Sequence, residues 1–416
     1  MLLLLACTPP DEAAPPDETA APRTCPAAVA PPPADLDGDG HADLAWAQTE
    51  DAEGTYDATS IVTFGPDFTR RQEFPTLGAD GVAVADLDGD GWPELVYASV
   101  SDGEARAVDS FVYRGAPGGP TVADPVRLPG IGASAVTIDD VDGDGALDLF
   151  LSNRYDGEGF SEAAYTVDSA LYLGAAGGVS PDRVAHVETL GAGDARFADL
   201  DQDGWTDLVV ASGTLFADAS RIYYGGPDGY SRDATVELPT AAPEGVVVAD
   251  WNGDGWLDLF FSNFYDALEL DIDSPLYWGS PDGYSADAVQ WIATHGATDA
   301  LAADLDGDDC LELVVANSMT GSFAELEFEV ASEVWAGSPD GPTTVRARLP
   351  TISAAAVSAA DLDGDGDTDL VFANRYDADG APTSASYVYW NDGGFSEDDR
   401  TEIPTVGAAG VTATAR

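Results

Sequence analysis

The stretch Asp86–Leu95, DLDGDGWPEL, places four acidic side chains and two glycines within ten residues. Two carboxylates 4 Å apart repel one another by about 1 kcal/mol in water and by about 4 kcal/mol at an effective dielectric constant near 20. Such a cluster therefore needs a counter-charge. The pattern occurs in seven copies, spaced 51 to 59 positions apart, which begin at Asp35, Asp86, Asp140, Asp199, Asp250, Asp304 and Asp361. A period near 50 residues is typical of stacked or radial arrays of one small unit.

Each repeat surrounds its acidic loop with the same short apolar segments. An alternating segment precedes the loop, as in GVAVAD (81–86), and a fully apolar one follows it, as in ELVYAS (94–99). Alternation and β-branched residues predict strands. A third segment starts with serine, as in SFVYRG (110–115), and a fourth, such as RLPGIGA (127–133), leads into the next repeat. Four strands in each of seven repeats predict an all-β fold, a seven-bladed β-propeller of four-stranded blades.

The two ends of the chain indicate how this ring closes. The first acidic loop follows AVAPPPAD (28–35), whose three prolines cannot supply the N–H donors of a strand. The C-terminal VGAAGVTATAR (406–416) repeats the beginning of a unit and stops where an acidic loop would follow. We therefore expect Gly410–Ala415 to supply the missing first strand beside the chain that begins at Asp35. This pairing removes two exposed strand edges.

The acidic loops have the ligand spacing of a calcium site. Side-chain oxygens at positions 1, 3, 5 and 9, with the backbone carbonyl at position 7, can surround one hard cation. A glycine at position 6, such as Gly91, permits the positive φ of the turn. An EF-hand is excluded because its position 12 needs a glutamate, where this chain has core residues such as Tyr97. The fifth loop has Asn252 for one carboxylate, and the sixth has Asp309 for the turn glycine, which aspartate tolerates.

The expected ligands share these five positions in every loop, with position 7 contributing only its carbonyl. Loop by loop they are Asp35, Asp37, Asp39, His41 and Asp43; Asp86, Asp88, Asp90, Trp92 and Glu94; Asp140, Asp142, Asp144, Ala146 and Asp148; Asp199, Asp201, Asp203, Trp205 and Asp207; Asp250, Asn252, Asp254, Trp256 and Asp258; Asp304, Asp306, Asp308, Cys310 and Glu312; and Asp361, Asp363, Asp365, Asp367 and Asp369.

Seven copies of D-x-D/N-G-D-G-x-x-D/E, most followed by a Y-x-G strand such as SPLYWG (274–279), resemble the FG-GAP/VCBS repeats of integrin alpha-subunit propellers. The resemblance covers Asp35 to the C-terminus, so it implies one propeller domain over 35–416. It also implies calcium in the loops, about seven ions. It implies no single function, because propellers of this kind serve many.

The N-terminal residues predict export. MLLLLACT (1–8) resembles the lipobox of bacterial lipoproteins, in which Cys7 is lipidated, although the apolar run is shorter than a complete signal peptide. Residues 1–7 are interpreted as a signal remnant, and 8–34, rich in proline, alanine and acid, as an extended linker. We expect a place at the bacterial cell envelope. Cys25 in the linker and Cys310 can pair in an oxidising compartment, but nothing in the sequence brings them together.

Charge limits the possible partners. The net charge of −60 comes from 76 acidic residues against 16 basic ones, all of them arginine. This field repels nucleic acid and anionic membranes, so neither is an expected partner apart from a lipid anchor. No nucleophile–His–Asp arrangement, HExxH motif or phosphate loop occurs, so we predict that the protein is not an enzyme. We also expect the propeller to be monomeric.

The inserts between the second and third strands are the most variable parts of the repeats. Three of them share a motif: SNRYD (152–156), SNFYD (262–266) and ANRYD (373–377). An aromatic ring beside an amide and an acid suits a carbohydrate or a peptide. Alternatively, the asparagines cap strand ends and the tyrosines cover the neighbouring blade. The residues in question are Asn153, Tyr155, Asp156, Asn263, Tyr265, Asp266, Asn374, Tyr376 and Asp377.

Three hypotheses about function follow. The first is a surface-anchored binding or adhesion module for an extracellular glycan or protein. The second is a carbohydrate-active hydrolase or lyase that uses paired carboxylates near the propeller axis. A purely structural role in the envelope is the third.

Overall fold

The computed structural model describes Cys25 and residues 32–157, 159–227, 229–231, 235–382 and 385–414. Within these residues, thirty strands form seven four-stranded antiparallel sheets and one separate hairpin. The predicted all-β, seven-bladed propeller is therefore confirmed. Cys7 and nearly all of the predicted signal and linker lie outside the described residues. No helix in the described part of the chain is long and apolar enough to cross a membrane.

Each blade has its innermost strand at the centre of the ring and its fourth strand at the outside. In that order, the strands are β30 (Ala408–Thr412), β1 (Leu44–Gln48), β2 (Thr59–Phe64) and β3 (Arg70–Pro75) in blade 1; β4 (Ala79–Ala85), β5 (Glu94–Ser99), β6 (Asp109–Tyr113) and β7 (Val126–Pro129) in blade 2; β8 (Ala133–Asp139), β9 (Asp148–Asn153), β10 (Asp168–Tyr172) and β11 (Val184–Glu188) in blade 3; β12 (Ala192–Ala198), β13 (Asp207–Ser212), β14 (Ala219–Tyr223) and β15 (Thr235–Pro239) in blade 4; β16 (Pro243–Ala249), β17 (Asp258–Asn263), β18 (Asp273–Tyr277) and β19 (Val289–Ala293) in blade 5; β20 (Ala297–Ala303), β21 (Glu312–Asn317), β24 (Glu329–Trp335) and β25 (Val345–Ile352) in blade 6; and β26 (Ala354–Ala360), β27 (Asp369–Asn374), β28 (Ala385–Tyr389) and β29 (Thr401–Pro404) in blade 7.

Three small elements lie outside the blades. A one-turn helix, α1, covers Glu162–Tyr165 in the blade 3 insert, and a 3₁₀ turn covers Glu397–Asp399. The hairpin β22 (Thr320–Ser322) and β23 (Glu325–Glu327) extends the blade 6 insert.

The core lies between the blades. The second strand of every blade is buried along its whole length, because both of its faces meet a neighbouring blade. Between blades 1 and 2, for example, Phe64 and Phe74 pack with Leu95, Tyr97 and Tyr113. A fully buried side chain of this size contributes about 1.5–3 kcal/mol. The apolar runs in the sequence are therefore the contacts that hold the ring together.

In six blades, a hydroxyl pair explains why the third strand starts with serine; in blade 2, Ser110 accepts the backbone N–H of Ser99. In blade 5, Ser274 accepts a hydrogen bond from the backbone N–H of Asn263 at 2.9 Å, and its Oγ lies 2.8 Å from Thr294 Oγ1. Thr294 in turn donates to the Ile272 carbonyl at 2.8 Å. The pair thus links the second, third and fourth strands where no ladder hydrogen bond reaches.

The Y-x-G tyrosines join neighbouring blades. The Tyr277 hydroxyl in blade 5 donates to the Pro239 carbonyl of blade 4 at 2.5 Å, and Tyr389 in blade 7 donates to the Pro350 carbonyl of blade 6 at 2.5 Å. Each bond runs from a third strand to the outer strand of the preceding blade.

The C-terminal strand closes the ring, as predicted. β30 pairs antiparallel with β1, with Trp46 opposite Val411. The strand covers Ala408–Thr412 rather than Gly410–Ala415, and beyond it Thr414 bridges Pro33. Ala34 then donates to the Ala413 carbonyl at 2.8 Å. Ala415 itself lies outside the described residues. The innermost strands contact one another in a closed sequence, from β4 round to β30 and back to β4.

The propeller has two faces of different chemistry. The acidic loops join first and second strands, so all of them lie on one face, which we call the loop face. The inserts join second and third strands, which run in the opposite sense, so they lie on the other face, which we call the insert face. The candidate metal sites and the candidate ligand residues are therefore on opposite sides of the ring.

Candidate calcium loops and candidate ligand cavity

The acidic loop of blade 2 shows how the seven loops fold. Asp86 Oδ1 accepts hydrogen bonds from the N–H groups of Gly89 at 2.9 Å and Asp90 at 3.1 Å, while its Oδ2 accepts from Gly91 at 2.9 Å. Gly89 and Gly91 have φ values of 74° and 89°, a region that favours glycine. The loop thus curls around the first carboxylate.

The position 9 carboxylate has a structural role that the spacing did not reveal. Glu94 Oε2 accepts the N–H of Leu87 at 2.8 Å, and Oε1 accepts the N–H of Gly115, at the end of the third strand, at 3.1 Å. The equivalent residue bonds the equivalent two donors in the other six loops. This residue therefore fixes the loop to the blade whether or not a cation is present.

The remaining carboxylates converge as a calcium site requires. In at least five of the loops, one oxygen from each of three acids lies within 4.8 Å of the others. In the blade 3 loop the three acids are Asp140, Asp142 and Asp148, so position 9 faces the cluster as well. Oxygens bound to one Ca²⁺ at 2.3–2.6 Å lie within about 5 Å of each other. The donor set and its spacing thus fit calcium.

Burial makes the position 9 carboxyl groups costly to ionise in the absence of a cation. Burial raises the pKa of Asp258 from 3.8 to about 7, and that of Asp43, Asp207 and Asp369 to about 6. Backbone N–H groups lower these pKa values, and neighbouring loop acids raise them further. A divalent cation would remove this cost.

The sixth loop keeps its shape despite its unusual residues. Asp309, which stands at the turn glycine position, has a φ of 68°, and its N–H still donates to Asp304 Oδ2 at 3.0 Å. The left-handed conformation expected for Asp309 is therefore confirmed. Arg346 bonds Asp306 at 2.5 Å, and Arg70 pairs with Asp37 in the same way in the first loop. Sequence reasoning missed both arginines, because they come from outer strands.

Cys310 at position 7 of the sixth loop forms a disulfide with Cys25. The sequence left this pairing open. The bond ties the segment before blade 1 to the loop face at blade 6.

A cavity of about 810 Å³ opens along the ring axis on the insert face. It is bounded by the beginnings of the innermost strands and by residues of the inserts. The third residue of each shared motif lines it: Arg154 after β9, Phe264 after β17 and Arg375 after β27. The three motifs, which stand in alternate blades, therefore converge on one cavity.

The two motif arginines are held by acids from other blades. Arg154 forms a two-bond pair with Glu244 of β16, with Nη2 and Oε1 2.5 Å apart, and also donates to the Gly213 carbonyl at 2.8 Å. Arg375 lies 3.5 Å from Asp80 of β4 and 3.9 Å from Glu50. These pairs were not visible in the sequence, because Arg154 and Glu244 stand two blades apart.

The motif asparagines lie buried at the ends of the second strands. Asn153, Asn263 and Asn374 are buried, and each side-chain amide donates to a third-strand carbonyl, at 2.7, 2.9 and 2.7 Å respectively. This arrangement matches the strand-end alternative for these three residues.

The motif tyrosines contribute to the rim of the insert face. Tyr376, which is half-buried, lines the cavity, and its ring packs against Phe328 at 6.0 Å. Tyr265 packs edge-on against Phe323 at 5.4 Å, and Tyr155 against Tyr165 at 4.8 Å. Phe323 is 46% exposed and also lines the cavity. Apolar rings are therefore open to solvent at the cavity mouth.

The motif acids shape the inserts. Asp377 Oδ1 accepts the N–H groups of Asp379 and Ala381, both at 2.9 Å, and so forms a tight turn. The backbone N–H of Asp156 donates to Ala164 at 3.0 Å, and that of Asp266 to Glu269 at 3.0 Å. None of the three carboxylates belongs to the cavity lining.

The rim is braced between blades 5 and 6. Asp271 of blade 5 accepts hydrogen bonds from Thr320 Oγ1 at 2.5 Å and from the Gly321 N–H at 3.3 Å in the blade 6 hairpin. The N–H of Phe323 donates to the Leu268 carbonyl at 3.2 Å. The hairpin that carries Phe323 is thus fixed over the cavity.

Charged residues occupy the middle of the channel, where this cavity meets a second one of about 680 Å³ on the loop face. Arg196 and Asp299 line both cavities. Arg196 bonds Asp194 at 2.6 Å, and Asp299 accepts the Val357 N–H at 2.9 Å. Both acids follow bulges in their strands, β12 and β20, and bulges re-aim side chains. Burial raises the pKa of Asp299 to about 7, while the nearby Arg196 lowers it and Asp194 raises it.

Comparison with known proteins identifies the repeat. The FG-GAP-like repeat family matches residues 35–97, 86–151 and 199–261. No curated protein matches the sequence.

Several solved structures share the fold at low sequence identity. A Lactobacillus plantarum protein gives a TM-score of 0.56 at 13% identity, over 89% of this chain and 98% of that one. A candidate 6-phosphogluconolactonase from Bacteroides fragilis gives 0.56 at 12% identity, over 90% and 98% of the two chains. Another from Bacteroides uniformis gives 0.55 at 13% identity, over 89% and 98%. At these identities the likeness concerns the fold alone.

Proposed function

The chain is an FG-GAP-repeat β-propeller, and from this premise we propose that it is a calcium-stabilised binding module whose ligand is a carbohydrate held in the insert-face cavity. One observation carries the proposal. Three copies of one insert motif, in alternate blades, converge on a single cavity of about 810 Å³ whose mouth is rimmed by exposed rings. Pockets of 300–1,000 Å³ that combine apolar walls with a few polar groups are typical of small-ligand sites.

A carbohydrate is favoured over a peptide by the composition of the rim. Phe323, Phe328 and Tyr376 supply flat apolar faces on which a sugar ring can stack, while arginines and acids lie deeper in the cavity.

Calcium has a structural role in this proposal. The seven sets of five ligands given above would hold the ions, with loop 5 contributing one amide in place of a carboxylate. A bound ion supplies positive charge to a cluster that otherwise repels itself, and an ion that binds only the folded state stabilises it by mass action. The loops face away from the cavity, so the proposal gives them no contact with the ligand.

An attachment to the cell envelope completes the proposal. The Cys25–Cys310 disulfide supports an oxidising, extracytoplasmic location, because such bonds are rare in reducing compartments. Lipidation at Cys7, followed by the proline- and alanine-rich segment, would hold the propeller at a membrane surface as an adhesion module.

A glycan array probed with the full chain in excess calcium tests the binding function. Glycans that bind the parent protein are tested again with Tyr376→Ala and Phe323→Ala, which should each weaken binding at least about fivefold. Trp291→Ala is the matched control, because Trp291 is 52% exposed on the outer strand of blade 5, outside the cavity lining. Absence of glycan binding, or equal effects of all three changes, would overturn the proposal.

A second candidate function, carbohydrate hydrolysis or elimination, is favoured by one specific observation. Asp194 and Asp299 lie near the axis, and their environments differ: Arg196 pairs with Asp194, whereas burial raises the pKa of Asp299 to about 7. A buried carboxyl group whose pKa is raised in this way can serve as a general acid. Release of shorter products from the glycans that bind, abolished in Asp299→Asn with binding retained, would establish this activity.

A further inference from the structure

The two motif arginines that line the cavity, Arg154 and Arg375, occupy equivalent positions in repeats three and seven, but their surroundings differ. Both lie directly after a buried asparagine at the end of a second strand. Arg154 has a bidentate carboxylate partner and a carbonyl partner, so three hydrogen bonds hold its guanidinium. This geometry is that of a structural cross-link between blades 3, 4 and 5.

Arg375 lacks such a partner. Its nearest carboxylate oxygens, on Asp80 and Glu50, are 3.5 and 3.9 Å away, longer than a charge-assisted hydrogen bond of 2.7–2.9 Å. Its Nε is shielded from solvent and has no hydrogen-bond partner among the described residues. Its guanidinium carbon lies 5.4 Å from the centre of the Tyr376 ring. A guanidinium in this state retains donors for an incoming acceptor.

The acids around the cavity are already engaged. Glu244 is paired with Arg154, and Asp80 also accepts a hydrogen bond from Thr49 at 2.9 Å. Deeper in the channel, Asp194 is bonded by Arg196 and Asp299 by the Val357 N–H. Each of these four acids therefore already has a hydrogen-bond partner within the protein.

The cavity is also an electrostatic exception in this chain. Three of the sixteen basic residues line it, against four acids, in a molecule whose net charge is −60. An anionic group that the rest of the surface would repel meets near-balanced charge here, with Arg375 as its available donor.

We infer that the ligand is an acidic saccharide whose carboxylate, as in a uronic acid residue, pairs with Arg375 while its sugar ring stacks on Tyr376. The inference rests on the carbohydrate-binding function proposed above and adds the chemical class of the ligand. The planar fork of an arginine matches a planar carboxylate through two parallel hydrogen bonds. The ring of Tyr376 adjoins this fork, so one sugar unit can meet both.

Calorimetry with two matched trisaccharides tests the inference. Trigalacturonate carries three carboxylates, and its methyl ester has the same rings without the charge. Calcium-loaded, dialysed protein should bind trigalacturonate at least about tenfold more tightly than the ester, because a hydrogen bond between charged groups is lost in the ester. A sulfated trisaccharide with the same number of charges forms a third arm. It should bind more weakly than trigalacturonate, if the planar carboxylate is what Arg375 recognises.

The variant Arg375→Met tests whether Arg375 causes the preference for the acid over the ester. The variant should bind acid and ester within twofold of each other, and Arg127→Met, on the outer strand of blade 2, should keep the tenfold preference. Arg375→Lys keeps the charge without the fork and should show an intermediate preference, which covers the case in which the methionine variant does not fold.

Three outcomes overturn the inference. These are equal binding of acid and ester by the parent protein, a preference that survives in both Arg375 variants, and stronger binding of the sulfated sugar. If a neutral glycan from the array binds in the cavity while the acid does not, the binding function stands and the acidic class is wrong. If no glycan binds at all, both fail.

Discussion

Cys25 is joined by a disulfide to Cys310, 285 positions further along the chain, at position 7 of the sixth acidic loop. The next described residues, 32–34, lie at blade 1, where Pro33 bridges Thr414. The segment that leads into the propeller is thus fixed at two places on the loop face. Cys25 is therefore held on the face opposite the insert-face cavity.

Reduction of this disulfide should lower stability. Removal of a native cross-link typically costs about 2–5 kcal/mol in the free energy of unfolding. We expect reducing buffer to lower the urea midpoint of the parent protein. Cys25→Ser without reductant should have the same midpoint as the reduced parent protein. Cys7→Ser serves as the control and should respond to reductant as the parent protein does. An unchanged midpoint in Cys25→Ser would show that the cross-link adds nothing to the folded state.

Substitutions at positions 3 and 9 of one loop should separate the structural carboxylate from the other calcium ligands. Glu94→Gln replaces an acceptor of two backbone N–H groups by a group that can accept only on one side, so the free energy of unfolding should fall by about 1–3 kcal/mol with or without calcium. Asp88→Asn retains a side-chain oxygen for the Asp90 N–H and removes one repelling charge. Its destabilising effect should appear only in calcium.

Urea unfolding of both variants, in excess calcium and in chelator, measures the difference. A loss of stability for Asp88→Asn in chelator as large as in calcium would contradict the assignment of this side chain as a metal ligand. For the parent protein, chelation should lower the melting temperature markedly, and an unchanged melting temperature would contradict calcium binding in all seven loops.

Removal of residues 408–416 should prevent closure of the ring. β1 would lose its inner partner, and Trp46 would lose the cover of Val411. We expect loss of cooperative unfolding and a red-shifted tryptophan emission. A peptide with the sequence of residues 406–414, added in trans, should restore part of the stability, and a scrambled peptide should not. A truncated chain that melts like the full one would show that β30 is dispensable.

Asp299 should impose a pH dependence on stability in excess calcium. Its pKa is about 7 in the folded protein and near 3.8 when unfolded, so the folded state holds a proton that the unfolded chain has lost between these values. The free energy of unfolding should therefore fall as the pH rises from about 4 to about 7. Two charged groups act on this folded-state pKa: Arg196 lowers it and Asp194 raises it.

Asp299→Asn should flatten this slope, because asparagine does not titrate. Asp57→Asn, an exposed position in blade 1, should leave the slope as it is. Urea midpoints at several pH values provide the measurement. Equal slopes in the parent protein and in Asp299→Asn would show that another group dominates the titration.

The fold could be predicted because the same pattern of strands recurs in each repeat. Period-two alternation before the loop, a buried run after it and a serine-led third strand occur at matching places in the seven units, and the incomplete units at the two ends are complementary. The boundary of β30 was misjudged by two or three residues, since nothing in VGAAGVTATAR marks where pairing stops.

The ligand cavity could be predicted only in part. The shared motif drew attention to the right inserts, and Tyr376 does line the cavity. The asparagines, however, bond third-strand carbonyls. The residue after each asparagine, an arginine in two of the motifs, lines the cavity. Which acid meets which arginine depends on the ring geometry, since the partner of Arg154 stands 90 positions away. No local pattern encodes a contact of that range.

The position of β30 has a consequence for biosynthesis. Blade 1 contains the earliest strands of the propeller, yet it lacks its inner strand until β30 has been made. At 5–20 residues per second, the interval between synthesis of β1 and of β30 is roughly 20–70 s. Throughout this time the edge of β1 is unpaired and Trp46 is without its cover from Val411. The ring is therefore completed only once β30 has been made, by the blade strand pair with the greatest sequence separation, and such contacts form slowly.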